Sequence, residues 1–256
     1  MKYRLALRRG LFWVTHRWRV ANRTRRSRGW SALIRDIRDF SLRRFHRLAG
    51  FRTSRELSAG ELSADQFDTT FGTETGGAVE VLQMDIDGAN AVYAVCYQPS
   101  PRGLFDDIVK SLPIRREQFT FVDLGCGKGL VLLLAAEFGF KAVIGVEMAR
   151  DLHRKAEENV RQYQLLTKER RNITVLCLDA AEFEFPRDPL VVYLYNPFSE
   201  PVMATVVAHL EASLRDQRRE IFVIYVAPAC EELFRASPFF ENVGSFPGAA
   251  LYCSKV

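Results

Sequence analysis

The chain has 256 residues, 48% hydrophobic and 26% charged, enough to bury a sizeable core and unlike a disordered or collagen-like composition. Its net charge of +5 averages two regions of opposite sign. Residues 1–55 hold 17 Lys/Arg and two acids, Asp36 and Asp39, a surplus of +15, which leaves 19 bases against 29 acids, or −10, in the remainder. No run approaches the roughly 18 consecutive apolar residues of a membrane-spanning helix, since the longest, Leu130 to Ala136, stops at Glu137.

Residues 1–56 read as a basic amphipathic helical extension. At 100° per residue Trp30, Leu33, Ile34, Ile37, Phe40, Phe45 and Leu48 share about 140° of arc. Arg35, Arg38, Arg43, His46 and Arg47 fall outside it, with Arg44 intruding. Arginines interleaved with Trp and Phe fit three settings: contact with nucleic acid, an anionic membrane surface, or a cover on the acidic remainder of the chain. Met1-Lys2-Tyr3-Arg4 starts like a signal peptide, but Arg8, Arg9, Arg17 and Arg19 break any apolar core; an Arg-rich, acid-poor start also suits a mitochondrial presequence. Five cysteines without a Cys-x-x-Cys pair and four scattered histidines predict neither a disulfide framework nor a metal site. The expected compartment is the cytoplasm, with a peripheral membrane position if the extension binds lipid.

Residues 57–100 read as a connecting, site-capping segment. Phe67 to Gly77, rich in hydroxyls and glycine, fits a loop over a site or an ordinary mobile loop. Ala91 to Tyr97 is a predicted strand, and Tyr97-Gln-Pro-Ser-Pro101 leads into a predicted helix from Leu104 to Leu112. From 101 to 256 the chain alternates strands with helices. Predicted strands are Phe119 to Leu124, Lys141 to Glu147, Asn172 to Leu178, Pro189 to Tyr195 and Glu220 to Val226; predicted helices are Leu130 to Phe138, Ala149 to about Leu166 and Ser199 to Leu214. Alternation of this kind predicts an α/β fold, a doubly wound sheet with parallel crossovers. Phe239 to Phe246 and Ala249 to Ser254, joined by Pro247-Gly248, leave no room for a crossover and predict an antiparallel hairpin. The expected domain is therefore a Rossmann-like, seven-stranded sheet, mostly parallel.

Ligands of such sheets sit beyond the carboxyl ends of the strands. Asp123, Glu147 and Asp179 fall at those ends, around the turn Gly125-Cys126-Gly127-Lys128-Gly129. An acid ending the second strand can bind a ribose diol. The glycine spacing lacks the G-x-G-x-x-G interval of a dinucleotide site, and Lys128 is not followed by Ser or Thr, which excludes a P-loop.

Val122-Asp-Leu-Gly-Cys-Gly-Lys-Gly129 resembles the first motif of class I S-adenosylmethionine-dependent methyltransferases. The resemblance continues in register through Gly145-Val-Glu-Met148, Leu178-Asp-Ala180 and Tyr195-Asn-Pro-Phe198, over about residues 97–256. It implies S-adenosylmethionine as cofactor, with Gly125, Cys126 and Gly127 giving a close backbone approach and Asp123 facing the methionine amino group. It further implies Glu147 on the ribose hydroxyls, Met148 against the adenine, and Asp179 with the Ala180 backbone at the adenine amino edge. For each acid the plain alternative is a solvated strand end or a helix N-cap.

Asn196-Pro197-Phe198 resembles, with one proline fewer, the Asn-Pro-Pro-Phe/Tyr motif of methyltransferases acting on planar amide or amino nitrogens. That likeness implies that Asn196 accepts hydrogen bonds from the target nitrogen and that the Phe198 ring packs on it; the alternative is a strand-to-helix turn started by Pro197. Tyr97 and Ser100 resemble a Tyr-x-Pro-Ser/Thr segment that closes over the cofactor's methionine end, with Ser100 as a helix N-cap the alternative. The expected activity is methyl transfer to nitrogen, or failing that oxygen, on a protein or small-molecule acceptor. A nucleic-acid-binding or membrane-surface protein with the α/β domain as scaffold is the other reading.

Overall fold

A computed structural model describes residues 64–168 and 171–255; the predicted basic extension, residues 1–56, lies outside them. The described residues form one compact unit. Its centre is a seven-stranded sheet of β1 (Thr120–Leu124), β2 (Ala142–Glu147), β3 (Ile173–Cys177), β4 (Leu190–Tyr195), β5 (Ile221–Val226), β6 (Phe240–Phe246) and β7 (Ala249–Ser254). The spatial order is β3-β2-β1-β4-β5-β7-β6. The pairs from β3 to β5 are parallel, and β7 runs antiparallel to both β5 and β6. This is the Rossmann-like, mostly parallel sheet with an antiparallel hairpin that the alternating pattern predicts.

The inner strands of the sheet are covered on both faces, which is why they are apolar runs rather than alternating ones. β1 and β5 are buried at every residue. Successive side chains leave on opposite faces. Phe121, Val191 and Tyr193 join one core with helices α1 (Ala64–Phe71), α2 (Arg102–Ser111), α3 (Leu130–Glu137) and α4 (Arg150–Thr167). Val122, Val192 and Leu194 join the other, with α5 (Glu200–Asp216) and α6 (Glu231–Arg235). α4 buries Leu152, Ala156, Asn159, Val160 and Tyr163, the three- and four-residue spacing of one helical stripe. α3 is buried from Leu130 through Ala136, so this apolar run of the sequence is a core helix. Among the described residues no helix is long and apolar enough to cross a membrane.

At the hairpin β7 slots between β5 and β6. The Ser254 hydroxyl fastens it by donating to the Arg219 carbonyl and accepting the Ile221 N–H, both at 2.9 Å. β6 carries an irregularity between Asn242 and Gly244.

The segment before the sheet differs from expectation. Ala91 to Tyr97 is not a strand: Ala91–Tyr93 is a single 3-10 turn, followed by two isolated bridges, Ala94 with Phe198 and Tyr97 with Val79. Its aromatic and branched residues suit an extended chain, but no neighbouring strand offers a ladder. The expected loop from Phe67 to Gly77 starts as helix, since α1 runs to Phe71 and packs Phe67 against Phe71 and Tyr163. α2 begins at Arg102 with Pro101 at its cap, so Ser100 is not an N-cap.

Candidate active site

The order β3-β2-β1-β4-β5 reverses direction between β1 and β4, and a cavity opens at the carboxyl ends of these strands, where a switch-point site is expected. From the strand ends Asp123, Gly125, Cys126, Glu147, Met148, Asp179 and Ala180 line it, as do Pro197 and Phe198 beyond β4. From the preceding segment come Tyr97 and Ser100. Of the residues singled out from sequence, Gly127 and Asn196 do not line the cavity but adjoin residues that do.

The turn after β1 is held in a conformation that side chains resist. Gly125, Gly127 and Gly129 have φ of +81, +56 and +85°, the left-handed region open chiefly to glycine. Space is a second reason. A Cβ at Gly127 would stand 2.1 Å from the Tyr97 ring, and one at Gly125 would stand 2.5 Å from the Pro197 Cβ. The missing side chains thus make room for other residues of the site, rather than only for a ligand. Gly127 contributes through its N–H, which donates to Glu147 Oε2 at 2.9 Å.

Glu147 is 8% exposed and accepts a second backbone bond, from Ala149 N at 2.8 Å on Oε1. Burial pushes its carboxyl up, and the bonds from Ala149 and Gly127 pull it partly back. Asp123 is 3% exposed, and burial followed by the charge of Glu147 holds its carboxyl well above the usual range. Burial and these two acids also push the Cys126 thiol up. Among the described residues neither acid has a basic partner within 4.0 Å. Two buried acids facing one cavity without a cation suit a positively charged ligand. Asp179 accepts from Ala181 N on Oδ1 at 2.9 Å and from the Asn90 amide on Oδ2 at 2.8 Å; the first bond caps a short turn, as the plain alternative has it.

Asn196 has φ of +41°, and its Oδ1 is buried with no hydrogen-bond partner, although Tyr195, Pro197 and Phe198 on either side line the cavity. The helix start lies elsewhere: Ser199 holds the N-cap position of α5, without a side-chain capping bond, and Pro201 sits in its first turn. Pro197 therefore does not begin the helix; it packs on Gly125. The Phe198 ring is 7% exposed, and its backbone bridges Ala94. Tyr193 and Tyr195 line the same end, and burial raises both phenols. Ser100 hydrogen-bonds Tyr193.

The loop after α1 supports this wall without lining it. Asp68 accepts from the Thr73 and Thr75 hydroxyls and from the N–H groups of Thr75 and Gly76 at 2.7–2.8 Å. The loop so formed accepts the Tyr97 hydroxyl on the Thr75 carbonyl at 2.6 Å. It also accepts Lys128 Nζ on the Gly76 carbonyl at 2.6 Å, and that ammonium lies 5.6 Å from the Tyr97 ring centre. The Asn159 amide ties the loop to the glycine turn by donating to the carbonyls of Glu74 and Lys128. Asn90 and Asn159 carry no signal in the sequence, being single polar residues without a spacing pattern, and Asp68 lies within the expected site loop without standing out from it.

Residues 121–217 match the family model described as a methyltransferase domain. Similar solved structures include an RNA methyltransferase from Salinibacter ruber in complex with S-adenosyl-L-homocysteine, at 20% identity and a TM-score of 0.42, covering 61% of this chain and 92% of that one. Another is the magnesium protoporphyrin IX methyltransferase from Synechocystis with bound SAM, at 15% identity and a TM-score of 0.44, covering 85% of this chain and 97% of that one. Among curated proteins none matches the sequence.

Proposed function

We propose that this chain is a class I S-adenosylmethionine-dependent methyltransferase that moves the methyl group to a nitrogen of a protein or small-molecule acceptor, a reading supported by the methyltransferase domain matched over residues 121–217 and by the sheet order. The cofactor supplies an electrophilic methyl on a cationic sulfonium. The residues suit such a cation: Asp123 and Glu147 are buried acids at the cavity with raised carboxyls. Asp123 would face the amino group, Glu147 the ribose hydroxyls, and Asp179 with Ala180 the adenine, beside Met148. Gly125 and Cys126 would border the methionine end under Tyr97 and Ser100.

The observation that carries the nitrogen reading is Asn196 Oδ1, a buried acceptor without a donor beside the cavity. An N–H of the acceptor would satisfy it, and leaving it unmet costs about 1–3 kcal/mol. Asn196 would thereby turn the nitrogen lone pair towards the methyl carbon, in-line geometry supplying most of the rate. Phe198, Tyr195 and Pro197 would shape the acceptor's end of the cavity. An alcohol would need a strong base to lose its proton, and the phenols here are raised by burial, which disfavours their ionised, basic form.

The test uses labelled S-adenosylmethionine and fractionated cell extract, followed by mass spectrometry of the labelled product. Label stable to alkali on a nitrogen supports the reading. Label on oxygen, or released by alkali as from an ester, overturns it.

A further inference from the structure

The stretch from Met84 to Tyr97 lines the cavity and runs from the Asp179 side to the Asn196 side. At one end Asp85 N–H donates to Asp151 Oδ1 at 2.9 Å, and Arg150 pairs with Asp87 at 2.9 Å. At the other, Ser199 N–H donates to the Tyr93 carbonyl at 3.0 Å, one residue beyond Asn-Pro-Phe. Between these anchors Asn90 opens the 3-10 turn, whose closing bond runs from Tyr93 N to the Asn90 carbonyl at 2.9 Å. The Asn90 side chain lines the cavity and donates to Asp179 Oδ2 at 2.8 Å. One short turn thus holds the carboxylate on the adenine side with its first residue and the acceptor motif with its last.

We infer that Asn90 is a positioning residue that sets Asp179 for recognition of the adenine amino group, an inference that rests on the cofactor placement proposed above. A carboxylate offers about four lone-pair sites. The Ala181 N–H and the Asn90 amide use one on each oxygen and fix the plane of the group. The lone pairs that remain are aimed rather than free to rotate, and a purine amino group meets them without displacing either partner. Without Asn90, Oδ2 would be loose, and the turn would lose its tie on the adenine side while keeping its tie to Ser199.

The test compares full-length wild-type protein with Asn90→Ala and Asn90→Asp by calorimetry. The probes are S-adenosylhomocysteine and its analogue carrying hydrogen in place of the adenine 6-amino group. Wild type should prefer the amino form by about tenfold, the worth of one hydrogen bond to a charged group. Asn90→Ala should lose most of that preference while binding the analogue as wild type does. Asn90→Asp, which sets a second carboxylate against Asp179, should weaken the amino form further. A loss shared equally by both probes would make Asn90 merely structural, and tighter binding by Asn90→Ala would make it a gate; either overturns the inference. If wild type bound neither probe, the cofactor placement would fail first, and that outcome is distinct.

Discussion

Asp123 and Glu147 put two acids into a buried space, and the consequence is a measurable pH dependence. Burial, then the neighbouring charge, raises the Asp123 carboxyl. Its folded value exceeds its unfolded one, so the folded protein holds this proton more tightly. Destabilisation from this group therefore begins as pH rises past the ordinary carboxylate range and is complete above the raised value. Binding a cation favours the ionised form. Cofactor affinity should thus climb with pH through the raised value and then level, and calorimetry in buffers of differing ionisation enthalpy should detect proton release. Asp123→Asn should flatten that profile, and in the ligand-free protein its Tm relative to wild type should improve from pH 5 to pH 8. An unchanged profile would remove Asp123 from the cofactor's cation. The role proposed for Asn196 bears on turnover instead: Asn196→Ala should leave cofactor affinity intact and lower kcat by about 100-fold, the scale of a misplaced reactant. Single-turnover kinetics with a methylated product as readout would check it.

Among the elements, the loop after α1 shows how one carboxylate builds a wall. Burial pushes Asp68 up, but hydrogen bonds from Thr73, Thr75 and Gly76 outweigh it and hold its carboxyl below the usual range. The stability it lends is present above the unfolded carboxylate value and lost as pH falls through the lower folded one. Asp68→Ala should cost about 2–4 kcal/mol, or roughly 5–10 °C in Tm for a domain of this size. It should also weaken cofactor binding, since the Thr75 and Gly76 carbonyls anchor Tyr97 and Lys128. Differential scanning calorimetry and binding titration would check the two effects. How much of this was legible depends on where the determining contact lies. β1, β2, β4 and β5 announce themselves because strands covered on both faces are largely apolar, and the glycine turn because left-handed backbone favours glycine. Ala91 to Tyr97 misleads because strand propensity is local, whereas a strand exists only when a partner lies alongside. Asp68 and Asn90 are silent because each acts through a tertiary contact: Asn90 reaches Asp179 across 89 positions of chain.

At the scale of the molecule, the described residues that line the cavity fall between positions 84 and 202, while the +15 surplus lies in residues 1–55. Deleting residues 1–55 should therefore leave cofactor affinity unchanged and turn a chain of net +5 into one near −10. Any binding of the full chain to anionic vesicles or RNA that weakens with salt should vanish with the deletion. Co-sedimentation over a salt series separates these two partners from an arm that covers its own acidic domain. The sheet order has a further consequence, for biosynthesis. β7 lies between β5 and β6, so β6 leaves the ribosome before the strand that joins it to the sheet. Until residues 249–254 emerge, β5 has an open edge and β6 has nowhere to go, so the nascent domain must wait for a late insertion. A chain stopped at residue 248 would lose two strands rather than one, and should be recovered as aggregate.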